Sequence, residues 1–417
     1  MIFEPELETM PVERLRELQG SRLRELIAYV RARVPFYRER LGGLTVDALA
    51  DLPKLPLTRK TDLRDHYPFG LFAVPLRDVV RVHASSGTTG KPTVVGYTAG
   101  DVDVFARVNA RALAMAGGGP EMILHNAYGY GLFTGGLGLH YGGERLGMAG
   151  VPVSGGMTER QLLLIEDFRP DLLCCTPSYA LTLAQELAAR GVSPDEISLR
   201  YACLGAEPWT EAMRAEVDAG LGIRSTNIYG LSEITGPGIS NECVEERSGS
   251  HVNEDHFYPE IVDPDSGDPL AEGEEGVLVF TTLTKQALPL IRYWTGDICS
   301  LSSEPCSCGR TLRRMSLIRG RVDDMLIIRG VNIYPSQIEA VIPRVPGLTT
   351  NYRLVVTREG TLDELTVEVE GSGNGDELAR LVKETTGCSV AVQIVPPGSV
   401  PRSEGGKLQR VHDLRRL

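Results

Sequence analysis

The sequence has 417 residues, of which 42% are hydrophobic and 24% are charged. This composition is typical of a globular enzyme and excludes a fibre or a disordered chain, and at roughly 150 residues per domain the length predicts two or three domains. The 43 basic and 55 acidic residues give a net charge of −12. Such a charge disfavours binding to nucleic acid and to anionic membranes.

The location of the protein follows from what the sequence lacks. Its apolar runs are far shorter than a membrane span, and the opening MIFEPELETMPVERL is acidic, unlike a secretory signal. The 8 cysteines are sparse and irregularly spaced, which does not fit a secreted disulfide framework. We therefore expect a cytoplasmic protein in which most thiols are reduced.

The predicted elements change in character along the chain. Residues 11–41 show an amphipathic helical period, and strands then alternate with helices up to STNIYG, which predicts a largely parallel α/β layer structure. After Gly238 the sequence predicts a β-rich subdomain that ends near Tyr293. A charged junction at residues 319–329 precedes a compact tail of strands and one helix. We expect a large α/β domain over residues 1–317 and a small α+β domain over residues 318–417.

The stretch SSGTTGKP at residues 85–92 is a candidate phosphate-binding loop. Its glycines free the backbone, while its hydroxyls, amides and Lys91 offer groups that bind phosphate. It is not a Walker A loop, because strand-like segments flank it on both sides, and Ser85 and Pro92 stand where that pattern has Gly and Ser or Thr. A flexible hairpin is the alternative.

Four later segments carry chemically useful residues but are individually weak signals. YGLSE combines an aromatic face with a carboxylate, and YWTGD ends in an aspartate suited to ribose hydroxyls. GRVDD lies at the proposed domain boundary, and PRSEGGK presents a lysine near the C-terminus. Taken alone, each segment also fits an ordinary turn, a linker or a solvated tail.

In this order and spacing, SSGTTGKPT, YGLSE, YWTGD, GRVDD and PRSEGGK resemble the signature loops of the adenylate-forming superfamily of acyl-CoA synthetases, adenylation domains and luciferases. Longer stretches such as NAYGYGLFTGGLGLHYG and RGVNIYPSQIE resemble its phenylacetate-coenzyme A ligase branch. The resemblance implies a large N-terminal domain and a mobile C-terminal lid that rotates between two half-reactions.

The resemblance also implies roles for individual residues. Glu233 would hold Mg²⁺, Asp323 would be the hinge, and Lys407 would be the lysine that promotes adenylation. The implied nucleotide-binding residues are Ser86, Thr88, Thr89 and Lys91 at the phosphates, Ala206, Glu207 and Tyr229 at the adenine, and Asp297 and Arg321 at the ribose.

An aromatic acid would suit the glycine-rich segment NAYGYGLFTGGLG, where the backbone can approach a flat ligand beside aromatic faces. The ring pocket implied by the resemblance is lined by Tyr128, Phe133, Ala206, Gly236 and Pro237, with Lys60 near its far end. For some of these aromatics, and above all for Tyr130, a place in the core is the alternative.

A metal site is a further prediction. Cys306 and Cys308 resemble half of a zinc knuckle, and Cys243 with His251 would complete a structural Cys₃His site. His256 or Cys299 are possible substitutes, and surface thiols on a hairpin are the alternative.

The first functional hypothesis is an AMP-forming ligase that joins a phenylacetate-like or benzoate-like acid to coenzyme A, with ATP and Mg²⁺. One alternative is an aryl-acid adenylating enzyme that loads a carrier protein, and another is a nucleotide-binding relic without turnover. The predicted partners are therefore small molecules or a carrier protein, and a homodimer is left open.

Overall fold

The structure is a computed structural model that describes residues 1–85, 92–322, 325–329, 331–359, 362–404 and 407–415. Its helices are α1 (Pro5–Glu8), α2 (Val12–Arg33), α3 (Pro35–Leu41), α4 (Lys60–Asp65), α5 (Ala99–Met115), α6 (Gly135–Leu146), α7 (Thr158–Phe168), α8 (Pro177–Ala189), α9 (Glu211–Leu221), α10 (Pro335–Glu339) and α11 (Gly375–Thr386). The strands up to the large sheet's last parallel member are β1 (Arg81–Ala84), β2 (Val94–Tyr97), β3 (Ile123–Asn126), β4 (Ala149–Val151), β5 (Leu172–Cys175), β6 (Tyr201–Gly205) and β7 (Arg224–Leu231). The later strands are β8 (Gly236–Glu242), β9 (Ser250–Val252), β10 (Phe257–Val262), β11 (Gly276–Thr282), β12 (Tyr293–Cys299), β13 (Leu301–Ser302), β14 (Arg314–Met315), β15 (Gly320–Arg321), β16 (Leu326–Ile328), β17 (Val331–Ile333), β18 (Leu348–Glu359), β19 (Leu362–Gly371), β20 (Ala391–Val395) and β21 (Val411–Asp413).

A 9-stranded mixed sheet forms the centre of the large domain, in the order β13-β14-β9-β8-β7-β6-β5-β3-β4. Strands β3 to β7 pair in parallel, and a helix connects each of them to the next along the chain. Parallel pairing requires such crossover connections. This half of the sheet confirms the predicted alternation of strands and helices.

The remaining strands of the large domain are antiparallel. Strand β7 turns back into β8, and a second sheet has the order β10-β11-β12-β15. The β-rich part therefore continues to Arg321, and the predicted end near Tyr293 was wrong because YWTGD opens a central strand rather than closing the subdomain.

Strands β1 and β2 form an antiparallel hairpin, as the flanks of the glycine-rich loop predict. The chain then enters α5 through a capping box, in which Thr98 Oγ1 accepts from Asp101 N and Asp101 accepts from Thr98 N. Reciprocal bonds of this kind satisfy the unpaired N–H groups at a helix start. They fix the hairpin at the end of a buried helix.

The small domain contains a third sheet, in the order β20-β19-β18-β21, with α10 and α11 against a separate hydrophobic core. The short last strand, β21, pairs in parallel with β18. The tail that contains Lys407 therefore leads directly into this sheet. The described residues include no helix that is both long and apolar enough to cross a membrane.

Candidate active site

The turn between β7 and β8 carries the predicted metal-binding carboxylate. Ile234 N and Thr235 N both donate to Leu231 O, which closes the turn and leaves Glu233 only 5% exposed. Lys60, at the start of α4, places its amine 3.4 Å from Glu233 Oε1. The structure thus gives Lys60 a carboxylate partner, and its place near the far end of the ring pocket stays a prediction.

Three predicted nucleotide-binding residues meet between the 9-stranded sheet and the sheet β10-β11-β12-β15. Tyr229 Oη donates to Asp297 Oδ2 at 2.6 Å, and Arg321 Nη1 donates to Asp297 Oδ1 at 3.0 Å. Burial and the neighbouring Asp297 charge raise the pKa of Tyr229 well above its usual value, so the phenol stays a donor. The three side chains therefore form one polar unit.

The C-terminal tail contacts the large domain at Glu207, one of the residues predicted to border the adenine. Glu207 follows Ala206, which has a left-handed φ of 75°. Its carboxylate accepts from Ser178 N at 2.7 Å and from Leu408 N at 3.1 Å. Lys407, which is exposed, directly precedes Leu408. The lysine thus belongs to a segment that contacts the predicted nucleotide cleft.

Most of the predicted ring pocket comes together around α6. Tyr128 is 7% exposed and donates from Oη to Gly205 O at 3.2 Å, next to Ala206. Burial raises the pKa of Tyr128 well above its usual value. Phe133 is 53% exposed, so its place in the pocket stays a prediction.

Gly236 and Pro237, the other predicted pocket residues, lie against the segment that leads into α6 and against α6 itself. Gly236 has a φ of 97°, and a Cβ at this position would lie 2.6 Å from Thr134 Cβ. The Cγ atom of Pro237 lies close to Gly138, where an added Cβ would approach it to 2.8 Å. Glycine is required at residue 236 because both the backbone and the neighbouring threonine exclude a side chain.

The sequence analysis missed Tyr97, which supports the Glu233 turn from below. Its side chain is fully buried and donates from Oη to Thr235 O at 3.0 Å. The amine of Lys285 lies 3.3 Å from the centre of the Tyr97 ring. Burial lowers the pKa of Lys285 to about 8. The only sequence signal for Tyr97 was its position at the end of an apolar strand.

Five predicted residues lie outside the described residues. They are Ser86, Thr88, Thr89 and Lys91 of the glycine-rich loop and the proposed hinge Asp323. The base of that loop is described: Ser85 N donates to Thr93 O, and Thr93 N donates to Ser85 Oγ. The hairpin ends are thus joined immediately before and after the loop.

The predicted metal ligands converge at a separate place. The donor atoms of Cys243, His251, Cys306 and Cys308 all lie within 4.8 Å of one another. The His251 Nδ1 atom lies 3.3 Å from Leu312 O, which leaves Nε2 facing Cys308. His256 instead contacts Thr284, and it is not part of this cluster.

Comparison with known proteins gives matches along the whole chain. The family described as AMP-binding enzyme matches residues 38–283, and the AMP-binding enzyme C-terminal domain matches residues 330–415. A phenylacetate-coenzyme A ligase of Thermus thermophilus is 62% identical over 100% of both chains.

Solved structures of 2-hydroxyisobutyryl-CoA ligase are similar as well. The postadenylation state in complex with R3-HIB-AMP has a TM-score of 0.90 at 29% identity, covering 99% of this chain and 92% of the other. The thioesterification state in complex with 2-HIB-AMP and CoA has a TM-score of 0.74 at 30% identity, with the same coverage. The present arrangement therefore lies closer to the postadenylation form.

Proposed function

Because this chain belongs to the AMP-binding enzyme family, in its phenylacetate-coenzyme A ligase branch, we propose that its acid substrate is an arylacetate such as phenylacetate. The chain is an AMP-forming acid–CoA ligase that acts on an aromatic acid. The observation that supports the specific proposal is the 62% identity to a phenylacetate-coenzyme A ligase over the full length of both chains.

The reaction has two steps. A carboxylate oxygen of the acid attacks the α-phosphorus of ATP, the bond from that phosphorus to the β-phosphate oxygen breaks, and pyrophosphate leaves. The CoA thiolate then attacks the acyl carbon, and the bond from that carbon to AMP breaks. Such transfers depend mainly on positioning and on neutralisation of charge. No protein nucleophile is required.

Lys407 would supply positive charge to the first step. It would lie between the acid's carboxylate and the α-phosphate, where a preorganised cation stabilises the transition state. The contact of the next residue, Leu408, with Glu207 supports this role, because it brings the tail to the large domain. The lid would then rotate about Asp323 to admit the thiol.

Asp297 would accept hydrogen bonds from the ribose hydroxyls. Tyr229 and Arg321 donate to its two carboxylate oxygens, which fixes the orientation of the group. A carboxylate oxygen accepts more than one hydrogen bond, which suits it to a ribose hydroxyl donor. Tyr229 would also present its ring to the adenine.

Glu233 fits a magnesium site, because Mg²⁺ in nucleotide enzymes commonly takes one or two carboxylates together with substrate phosphates and water. When bound, Mg²⁺ neutralises phosphate charge. Among the chain's own groups, Lys60 already balances the Glu233 carboxylate at 3.4 Å. This pair would orient Glu233 toward the nucleotide.

A Zn²⁺ ion fits the Cys₃His cluster. Three thiols and one imidazole match the donor set of a structural zinc site, which leaves no open coordination position. The Leu312 carbonyl would orient His251 as an outer hydrogen-bond acceptor. The ion would join the β8–β9 region to residues 306–308.

The experiment that tests the substrate is ATP–pyrophosphate exchange with a panel of phenylacetic, benzoic and hydroxyanthranilic acids. Phenylacetate should give the highest kcat/KM, and CoA should then yield the thioester and AMP. Preference for a hydroxyanthranilate would contradict the proposal. Product formation with a carrier protein's thiol but not with CoA would favour the carrier-loading alternative.

The proposed setting is the cytoplasm, where ATP and CoA are available and thiols stay reduced. All eight cysteines are free in the structure, which agrees with this setting. A homodimer stays a prediction, and sedimentation of the purified protein would test it.

A further inference from the structure

Glu207 is held firmly on the side of the large domain. Its Oε1 accepts from Ser178 N at 2.7 Å, in the first turn of α8. The side chain of Thr176, the residue just before the helix, does not cap it. The carboxylate therefore satisfies one of the unpaired N–H groups at the helix start, and the positive end of the helix dipole favours its charge.

The second oxygen of the same carboxylate holds the tail. Glu207 Oε2 accepts from Leu408 N at 3.1 Å, across 201 residues of sequence. Consecutive Cα atoms are about 3.8 Å apart, so fixing the Leu408 amide restricts the backbone position of Lys407. A charge-assisted hydrogen bond of this type is stronger than one between neutral groups.

Arg410 adds an attraction of longer range. Its guanidinium lies 4.9 Å from the centre of the Tyr352 ring, and it interacts electrostatically with both Glu339 of the lid and Glu207. Glu339 is itself anchored by a bond from Tyr352 Oη at 3.0 Å. The lid thus presents a fixed cation toward the same carboxylate that binds the Leu408 amide.

A second close approach shows that the tail backbone lies tightly against the large domain. A Cβ built on Gly156, which has a φ of 78°, would lie 3.0 Å from Glu404 O. The tail is therefore in contact both before and after Lys407. Of the two contacts, only that at Glu207 has a charged acceptor.

We propose that Glu207 is a positioning residue for Lys407: its carboxylate holds the tail in place for adenylation and releases it before thioester formation. This inference rests on the proposed role of Lys407. It is compatible with an adenine contact, because each carboxylate oxygen has a second lone pair. Its distinguishing feature is that it concerns only one half-reaction.

The test is Glu207→Gln, assayed separately in both half-reactions. Glutamine keeps one acceptor oxygen but turns an amide NH₂ toward one of the two N–H donors. ATP–pyrophosphate exchange should fall about 10- to 100-fold in kcat, with the KM for ATP changed less than about 2-fold, an expectation scaled from lost charge-assisted bonds. Conversion of supplied acyl-adenylate and CoA to the thioester should stay at the wild-type rate or rise.

Hydrogen exchange supplies a readout that does not depend on activity. In the presence of a non-hydrolysable acyl-adenylate analogue, a peptide spanning residues 407–413 should exchange faster in Glu207→Gln than in the wild type. A hydrogen-exchange rate of this peptide that is the same in both proteins would overturn the proposal. A rise in the KM for ATP with an unchanged kcat would also overturn it, since that result indicates an adenine contact alone.

Glu216→Gln is the matched control. Glu216 accepts from Thr350 Oγ1 at 2.8 Å, so it also joins the large domain to the lid, but through β18 and not through the tail that carries Lys407. The ATP–pyrophosphate exchange activity of Glu216→Gln should stay within about 2-fold of the wild type. Equal losses in Glu207→Gln and Glu216→Gln would mean that lid docking in general was weakened, and would overturn the specific role.

Failure of the proposed function would look different. If the wild type showed no ATP–pyrophosphate exchange with any aryl acid, the proposed function would be refuted. If Lys407→Ala kept full ATP–pyrophosphate exchange, the role of that lysine would be refuted. Full exchange in Glu207→Gln, with Lys407→Ala inactive, would refute only the positioning role.

Discussion

Tyr229 and Asp297 lie on strands of two different sheets, and the phenol of the first donates to the carboxylate of the second at 2.6 Å. Strand β7 ends in the turn that carries Glu233, whereas β12 pairs with the strand that carries Arg321. One hydrogen bond therefore links the strand that leads to the proposed magnesium ligand Glu233 with the strand that carries the proposed ribose acceptor Asp297.

Tyr229→Phe should raise the KM for ATP about 5- to 10-fold. The change removes a donor to a charged acceptor, a loss of about 1 to 1.4 kcal/mol in the positioning of Asp297. Steady-state kinetics with ATP as the varied substrate measures the effect. Tyr29→Phe, which removes a hydroxyl that bonds Gln286 O, is the control. An equal KM in both variants would contradict the proposed ribose site.

Lys407→Ala should reduce ATP–pyrophosphate exchange by about 100- to 1,000-fold, the loss expected for one preorganised charge contact. Thioester formation from supplied acyl-adenylate should be largely retained, because the lysine has no role in the second step. Lys383→Ala, a change at an exposed lysine of α11, is the control and should behave as the wild type. Equal losses in both half-reactions would argue against this division of roles.

Gly236→Ala should impair use of the acid more strongly than Gly273→Ala. Both glycines have a left-handed φ, 97° and 86°, so both substitutions carry the same backbone strain of about 1 kcal/mol. Only at Gly236 does the added methyl meet Thr134 Cβ, at 2.6 Å, whereas nothing lies within 4 Å at Gly273. We expect at least about a 10-fold rise in the KM for phenylacetate at residue 236, by analogy with the cost of overpacking. Similar acid KM values in the two variants would remove Gly236 from the pocket.

Purified wild-type protein should contain one zinc ion per chain, measured by elemental analysis without chelator. Cys308→Ser should lose the ion and unfold at a lower temperature, because a structural metal contributes directly to folding. Cys388→Ser is the control, since Cys388 is a buried thiol outside the cluster. Metal-free wild-type protein of unchanged stability would refute the zinc site.

Lys285 should give the protein a distinct alkaline dependence of stability. Burial lowers its pKa to about 8 from 10.5, so between these values the unfolded state binds more protons and stability rises with pH. The free energy of unfolding of the wild type should therefore gain up to about 3 kcal/mol relative to Lys285→Met between pH 8 and 10.5. Denaturant titrations at several pH values measure this difference.

Lys54→Met provides the control for that experiment, since the Lys54 side chain is 63% exposed and its amine pairs with Asp51 at the surface instead of being buried. A constant difference between wild type and Lys285→Met over the same pH range would show that the Lys285 amine is not desolvated.

Local patterns predicted the elements well, because strand and helix periods and turn residues act over a few positions. The hairpin at residues 81–97 was identified in this way, and so were the two halves of the Cys₃His cluster, Cys243 with His251 and Cys306 with Cys308. The Lys60–Glu233 pair and the Tyr97 support were not, because they join residues distant in sequence whose types are common. Phe133 shows the same limit: its type suits a ring pocket, but its exposure depends on tertiary packing.

The Glu207–Leu408 contact has no side-chain signature on the tail, because the donor is a peptide N–H. Every amino acid except proline offers that donor, so a substitution at residue 408 need not remove the bond. Alanine scanning of the tail would leave the bond intact, and among substitutions at this position only Leu408→Pro removes the donor. On the tail, the position of this bond is therefore set by the course of the backbone and not by the side chain of residue 408.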